Sequence, residues 1–73
     1  MRRLGKVLHL SSNKNLILKA KRTAKPNQNV FDKQAHNIGK IIDVFGPVKT
    51  PYLSIKPLTP NAKKYVGKAL YLK

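Results

Sequence analysis

The stretch from Ile38 to Lys56 narrows the possible folds more than any other, because it reads as a strand, a stiff turn and a second strand. Ile38 to Phe45 is rich in β-branched and apolar residues, Gly46 to Pro51 contains one glycine and two prolines, and Tyr52 to Lys56 alternates apolar with polar. Proline fixes its own φ and drives the residue before it toward extended backbone, so Pro47 and Pro51 also restrain Gly46 and Thr50. The expected hairpin therefore has a tip with little conformational entropy to lose on meeting a partner. Val48 lies at that tip, with Phe45 and Tyr52 at its base, which makes it the candidate docking surface.

The rest of the chain supplies further short strands. Leu4 to Leu10 reads as a strand, residues 11 to 15 form a cluster of turn formers, and Leu16 to Ala20 reads as a returning strand with Leu16, Leu18 and Ala20 on one face. Lys21 to Asn29 is polar, basic and interrupted by Pro26, and reads as an exposed loop; Val30 to Asp32 is long enough only for an edge strand. Pro57 is expected to stop the strand that contains Tyr52. Thr59 then offers a helix cap before Pro60, with one helical turn near Asn61 to Lys64 and a last strand from Val66 to Leu72. No window repeats apolar residues at spacings of three and four over two turns, so the chain is all-β. A single domain spanning residues 1–73 and closed into a small barrel suits these strands, because closure removes exposed edges.

Three segments share the pattern apolar, Gly, Lys, apolar: Leu4 to Val7, Ile38 to Ile41 and Val66 to Ala69. Under strict alternation Lys6, Lys40 and Lys68 would each join the apolar residues of their strand inside the barrel. An unpaired lysine is too costly to bury there. Gly5, Gly39 and Gly67 are therefore expected at bulges or sharp bends that swing the lysines outward.

Sixteen Lys and Arg stand against Asp32 and Asp43, for a formal net charge of +14, with no glutamate at all. Two carboxylates cannot partner sixteen cations, and the Lys–Glu balance of thermophilic ion-pair networks is missing. An acidic partner is implied, either nucleic acid or an acidic protein surface. Lys19, Lys21, Arg22 and Lys25 are the candidates for phosphate contact. Anionic lipid is disfavoured by the lack of an amphipathic helix. There is no cysteine, which removes disulfides, thiolate zinc sites and thiol nucleophiles and fits an intracellular chain. The longest unbroken apolar run, Ala69 to Leu72, is too short to span a bilayer, and no apolar signal segment follows the basic start.

Catalysis finds no foothold. His9 and His36 are the only histidines, and with two scattered aspartates they make no credible metal set. His9, Ser11 or Ser12 and an aspartate lack any surrounding elbow or oxyanion-hole signature. Gly-rich phosphate loops are absent, and the five aromatics form no base-stacking platform in the sequence. No cofactor or small-molecule substrate is expected. Alternation puts Leu53 and Ile55 inward and Tyr52, Ser54 and Lys56 outward. Ile41 and Phe45 oppose Ile42 and Val44, so one face of that strand fills the barrel and the other wants a cover, from Lys21 to Asn29, from the terminal tail or from a partner.

The run from Gly39 to Tyr52, and above all Asp43-Val-Phe-Gly-Pro-Val48, resembles the signature of the Gar subunit of H/ACA ribonucleoproteins, the RNA-guided pseudouridylation machines. Arg3 to His9 and Tyr65 to Tyr71 extend the resemblance over nearly the whole chain, and the lack of glycine- and arginine-rich tails fits the archaeal form, at work in the cytoplasm. The resemblance implies a six-stranded closed barrel like that of translation-factor domains and a non-catalytic role. It also implies docking on the catalytic domain of the pseudouridine synthase, where such subunits help control a mobile thumb loop, with guide and substrate RNA met indirectly. The implied docking residues are Val44, Phe45, Gly46, Pro47, Val48, Lys49, Pro51 and Tyr52. A ribosomal or other RNA-binding barrel held by phosphate contacts, and an assembly chaperone of the nuclear assembly factor type, are the competing readings.

Overall fold

A computed structural model describes residues 1–73. Six strands, β1 (Arg2–Leu10), β2 (Leu16–Ala20), β3 (Asn29–Phe31), β4 (Asn37–Phe45), β5 (Tyr52–Pro57) and β6 (Ala69–Leu72), are joined by turns and one 3-10 turn at Ala62–Tyr65. They close into an antiparallel barrel in the order β1-β2-β5-β4-β3-β6. The all-β reading and the six-stranded closure are both met.

Thirteen apolar side chains fill the barrel, including Leu4, Val7, Leu18, Ile41, Leu53 and Ile55, and no polar or charged side chain is buried. Each large aliphatic taken fully out of water stabilises the fold by about 1.5–3 kcal/mol, and these are what the short strands have in place of length. Alternation predicted β2 and β5 well: Leu16, Leu18, Ala20, Leu53 and Ile55 are buried.

Alternation fails in β1 and β4, and in the same way in both. Val7 pairs with Leu18, and the next pair is His9 with Ile17, so Leu8 is skipped. Ile41 pairs with Ile55, and the next pair is Asp43 with Ser54, so Ile42 is skipped. The skipped residues are bulges, and their side chains turn outward, 47% exposed at Leu8 and 45% at Ile42. Toward their other neighbours, β1 skips Leu4 opposite β6 and β4 skips Ile38 opposite β3, and both of these side chains point inward. Lys6 and Lys40 thereby reach solvent.

The two bulged strands belong to matching halves. β6-β1-β2 and β3-β4-β5 carry the same register, with Gly5 opposite Leu70 and Gly39 opposite Val30. The halves meet along β2 and β5, where Leu16 faces Ile55 and Leu18 faces Leu53, and along β3 and β6, where Phe31 faces Tyr71. Each junction maps onto itself when the halves are exchanged.

Several expectations need correction. The last strand begins at Ala69 rather than Val66; Gly67 sits at φ 85° in a turn, so the third Gly-Lys segment takes the sharp bend instead of the bulge and still places its lysine outward. The short strand near Val30 is no edge, because closure pairs it with β4 on one side and β6 on the other. Pro57 ends β5 from within, opposite Gly39. The helical turn runs one residue later than expected and has no side-chain cap at Asn61, although the Asn61 amide donates to the Thr59 hydroxyl at 3.3 Å. Of the alternative covers for the outer face of β4, residues 21 to 29 supply a partial one: the Asn27 amide donates to Ile41 O and the Ile41 amide to Gln28 O, and Ala24 packs on the core, while Ile42 stays outside.

A Cβ on Gly39 would lie 2.6 Å from the Lys56 carbonyl oxygen, and one on Gly5 would collide with the Lys19 carbonyl. Backbone cannot rotate aside as a side chain can. Gly39→Ala should therefore cost about 3 kcal/mol, the upper end of overpacking penalties. Gly67→Ala, with no atom within 4 Å of the added carbon, should cost only the left-handed backbone penalty of about 1 kcal/mol. Urea unfolding of the two variants measures the difference, and equal costs would refute the close-contact argument.

Candidate functional site

The β4–β5 hairpin carries an aromatic pair at the base of its turn. Phe45 faces Tyr52 across the ladder, and their rings stack at 5.8 Å with planes 21° apart. Beyond them Gly46 turns at φ 90°, and a Cβ there would sit 2.9 Å from the Tyr52 ring, so this position demands glycine on two counts. Pro47 follows in solvent, and Val48 projects at 83% exposure, the most open large apolar side chain of the chain.

Pro51 anchors the return. It is buried, and its carbonyl accepts the Ala20 amide at 2.8 Å, tying the tip to the end of β2. Its role is to shape the loop from beneath. Val44 is half-buried and packs on the core, while Phe45, Pro47, Val48 and Lys49 face outward. The accessible surface is therefore Phe45, Val48 and the half-buried Tyr52, framed by Pro47 and Lys49.

Of the four cations expected to touch phosphate, Lys19 is part of this same surface. Its ammonium lies 5.9 Å from the centre of the Tyr52 ring, and Lys19 pairs with Tyr52 across β2 and β5. Lys21 continues from it, its amide bonded to Leu4 O, and Arg22 and Lys25 are exposed in the following loop. No lysine or arginine forms an ion pair with a carboxylate; the one such contact in the chain is His36 with Asp32 at 3.5 Å. His9, His36 and the two aspartates gather into no metal-holding group of three.

A concavity missed in the sequence opens beside the junction of β3 and β6. It has a volume of about 500 Å³ and is lined by Lys33, Lys64 and Lys68 with Tyr65 and Tyr71. The only signal for it was the density of Lys and Tyr in residues 63 to 73, and that signal is silent about Lys33 across the barrel. One wall is the turn 32–36. Asp32 Oδ1 accepts the amides of Gln34 and His36, each at 2.9 Å, which lets Ala35 adopt φ 67°. Burial pushes the Asp32 carboxyl up, but the His36 and Gln34 amides and the His36 imidazole outweigh it and hold the carboxyl below the ordinary 3.8. A depressed carboxylate contributes stability that is complete above the unfolded value and lost as pH falls through the folded one. The Gln34 and His36 amide shifts in an NMR titration should accordingly move together with a midpoint below 3.8, and Asp32→Asn should abolish that transition.

Comparison with known proteins bears on the whole chain. The family model described as the Gar1/Naf1 RNA binding region matches residues 1–73. An uncharacterized protein of Methanothermobacter thermautotrophicus is 38% identical over 76 residues, an alignment that covers 99% of this chain and 83% of that one. An uncharacterized protein of Methanocaldococcus jannaschii is 36% identical over 67 residues, covering 92% and 79% respectively. Both relatives are archaeal. With its matched sequence, closed barrel and Asp43–Val48 hairpin, the chain belongs to the Gar1/Naf1 RNA-binding-region family, an RNA-binding accessory family of H/ACA ribonucleoproteins.

Proposed function

We propose that this chain is the non-catalytic subunit of an archaeal H/ACA pseudouridylation complex that docks on the catalytic domain of the pseudouridine synthase through the hairpin tip. The observation that carries this reading is Val48: a β-branched apolar side chain at 83% exposure, on a loop whose backbone Gly46, Pro47 and Pro51 fix in advance. A solitary exposed apolar residue is ordinary. One held on a rigid loop beside a stacked Phe45–Tyr52 pair has the make-up of a hot spot, which is a rigid anchor with aromatic neighbours. Lys19 and Lys49 at its border suit an acidic rim on the synthase, where they would speed and orient association more than tighten it. From this seat the subunit modulates the synthase thumb loop for substrate loading and product release in the cytoplasm.

A second reading, a barrel that holds RNA by phosphate contact, is favoured by the sixteen cations and the absence of any lysine or arginine ion pair. The two readings are compatible, and binding measurements separate them.

Val48→Asp should weaken binding to the purified synthase by about 30-fold or more, the scale of a hot-spot loss, with the circular dichroism of the barrel unchanged. Unaltered affinity would refute docking at the tip. Added to a complex assembled without it, the wild-type chain should raise multiple-turnover pseudouridylation far more than single-turnover, because product release is the step it assists. If it binds RNA directly, affinity measured without the synthase should fall steeply as salt rises.

A further inference from the structure

We propose that the cleft beside the β3–β6 junction is the RNA-binding site of this barrel, taking a stretch of single-stranded RNA through its phosphates. The proposal rests on the RNA-contact reading of the preceding section and assigns it a location different from Lys19, Lys21, Arg22 and Lys25.

Three features converge on this cleft. The first is charge. Lys33 comes from the turn after β3, Lys64 from the 3-10 turn, and Lys68 from the turn before β6, so distant segments deliver three ammonium groups to one concavity of about 500 Å³. None has a carboxylate partner. The one acid in the lining, Asp32, is turned toward the Gln34 and His36 amides and the His36 ring and pairs with none of these lysines, so the lining keeps a net positive charge.

The second feature is aromatic surface. Tyr65 and Tyr71 line the cleft with half-exposed rings, and Phe31 stands opposite Tyr71 across the junction. Cations already lie against these rings, Lys64 at 5.2 Å from the Tyr65 centre and Lys73 at 5.9 Å from Phe31. Phosphate contacts with ring faces beside them are what a single strand requires of a binding groove. RNA is the occupant favoured over an acidic protein because the family model that matches the whole chain is an RNA binding region.

The third feature is position. In the closed order β1-β2-β5-β4-β3-β6, the β3–β6 junction lies on the wall opposite the β2–β5 junction, where Lys19 and Tyr52 border the hairpin tip. An RNA strand in the cleft leaves Val48 and Phe45 free. The barrel can then hold a protein on one side and RNA on the other. The cleft volume is also within the roughly 300–1,000 Å³ typical of small-ligand sites, enough to seat part of a strand rather than a duplex.

The test is fluorescence anisotropy with a labelled single-stranded RNA oligonucleotide, comparing the full wild-type chain with two variants of equal charge change. One is Lys33→Gln/Lys64→Gln/Lys68→Gln; the other is Lys19→Gln/Lys21→Gln/Arg22→Gln. All six side chains are exposed, so both variants should fold, and circular dichroism verifies it. The cleft variant should lose at least tenfold in affinity, and its log K against log salt slope should flatten by about 2, from three contacts at about 0.7 each. The other variant should lose less than threefold. Equal losses would overturn the site while leaving RNA binding intact. No RNA binding by the wild type would overturn both together. Displacement of the RNA by polyglutamate of matched charge, at the same concentration, would overturn the choice of RNA over an acidic protein. Synthase affinity should be unchanged in the cleft variant; its loss would assign the cleft to the protein interface and overturn the proposal.

Discussion

Closure of this barrel depends on two places where one strand's backbone lies directly against another's. At Gly5 the chain approaches the Lys19 carbonyl, and at Gly39 the Lys56 carbonyl, nearer than any side chain would allow. The bulges at Leu4 and Ile38 adjoin these glycines, and together they let β1 and β4 bend sharply enough to bring β6 and β3 within reach of each other. A nine-residue strand that could not bend would leave an open sheet with a half-exposed core and two free edges. The outward turn of Lys6 and Lys40 follows from the same geometry. Solubility and closure are therefore one arrangement, because the bulge that bends each strand also moves its lysine out of the core.

Much of this was legible in the sequence, for a definable reason. β2 and β5 lie on unbroken ladders, so period-two alternation places Leu16, Leu18, Leu53 and Ile55 correctly inside. Alternation cannot see a skipped residue, so strict parity counts Leu8 with the inward residues although it lies outside, and groups Ile42 with Val44 although only Val44 packs on the core. The Gly-Lys pattern gave notice of that failure without its register. For the last strand the pattern misled: Val66 to Lys68 has the composition of β1 and β4 but turns at Gly67 with nothing packed over it. The hairpin tip was readable because proline and glycine act locally. The lysine-lined cleft was not, because closure alone brings the turn after β3 to the segment before β6.

Charge and fold are cleanly separated in this chain. The interior has no polar side chain, and no cation is tied down by a carboxylate. Nothing in the barrel consumes the +14, so it acts outward as a field over the whole surface, drawing polyanions near whichever patch finally binds them. A field of this kind attracts without choosing. Discrimination then falls to the few places with shape, which are the tip held by Gly46 and Pro51 and the concavity beside β6.

The junction between β3 and β6 differs from the other five seams. It is closed at one register position, Phe31 with Tyr71, while the other seams carry three to six pairs. Its partners are also far apart along the chain, so joining them means closing a long loop for little immediate return. This seam is thus the natural last event in folding and the easiest place for the barrel to part, leaving β6 on β1 and β3 on β4. Anything that bridges the turn after β3 to the start of β6 acts as a clasp on that seam, and by mass action it stabilises the entire barrel in proportion to how tightly it holds.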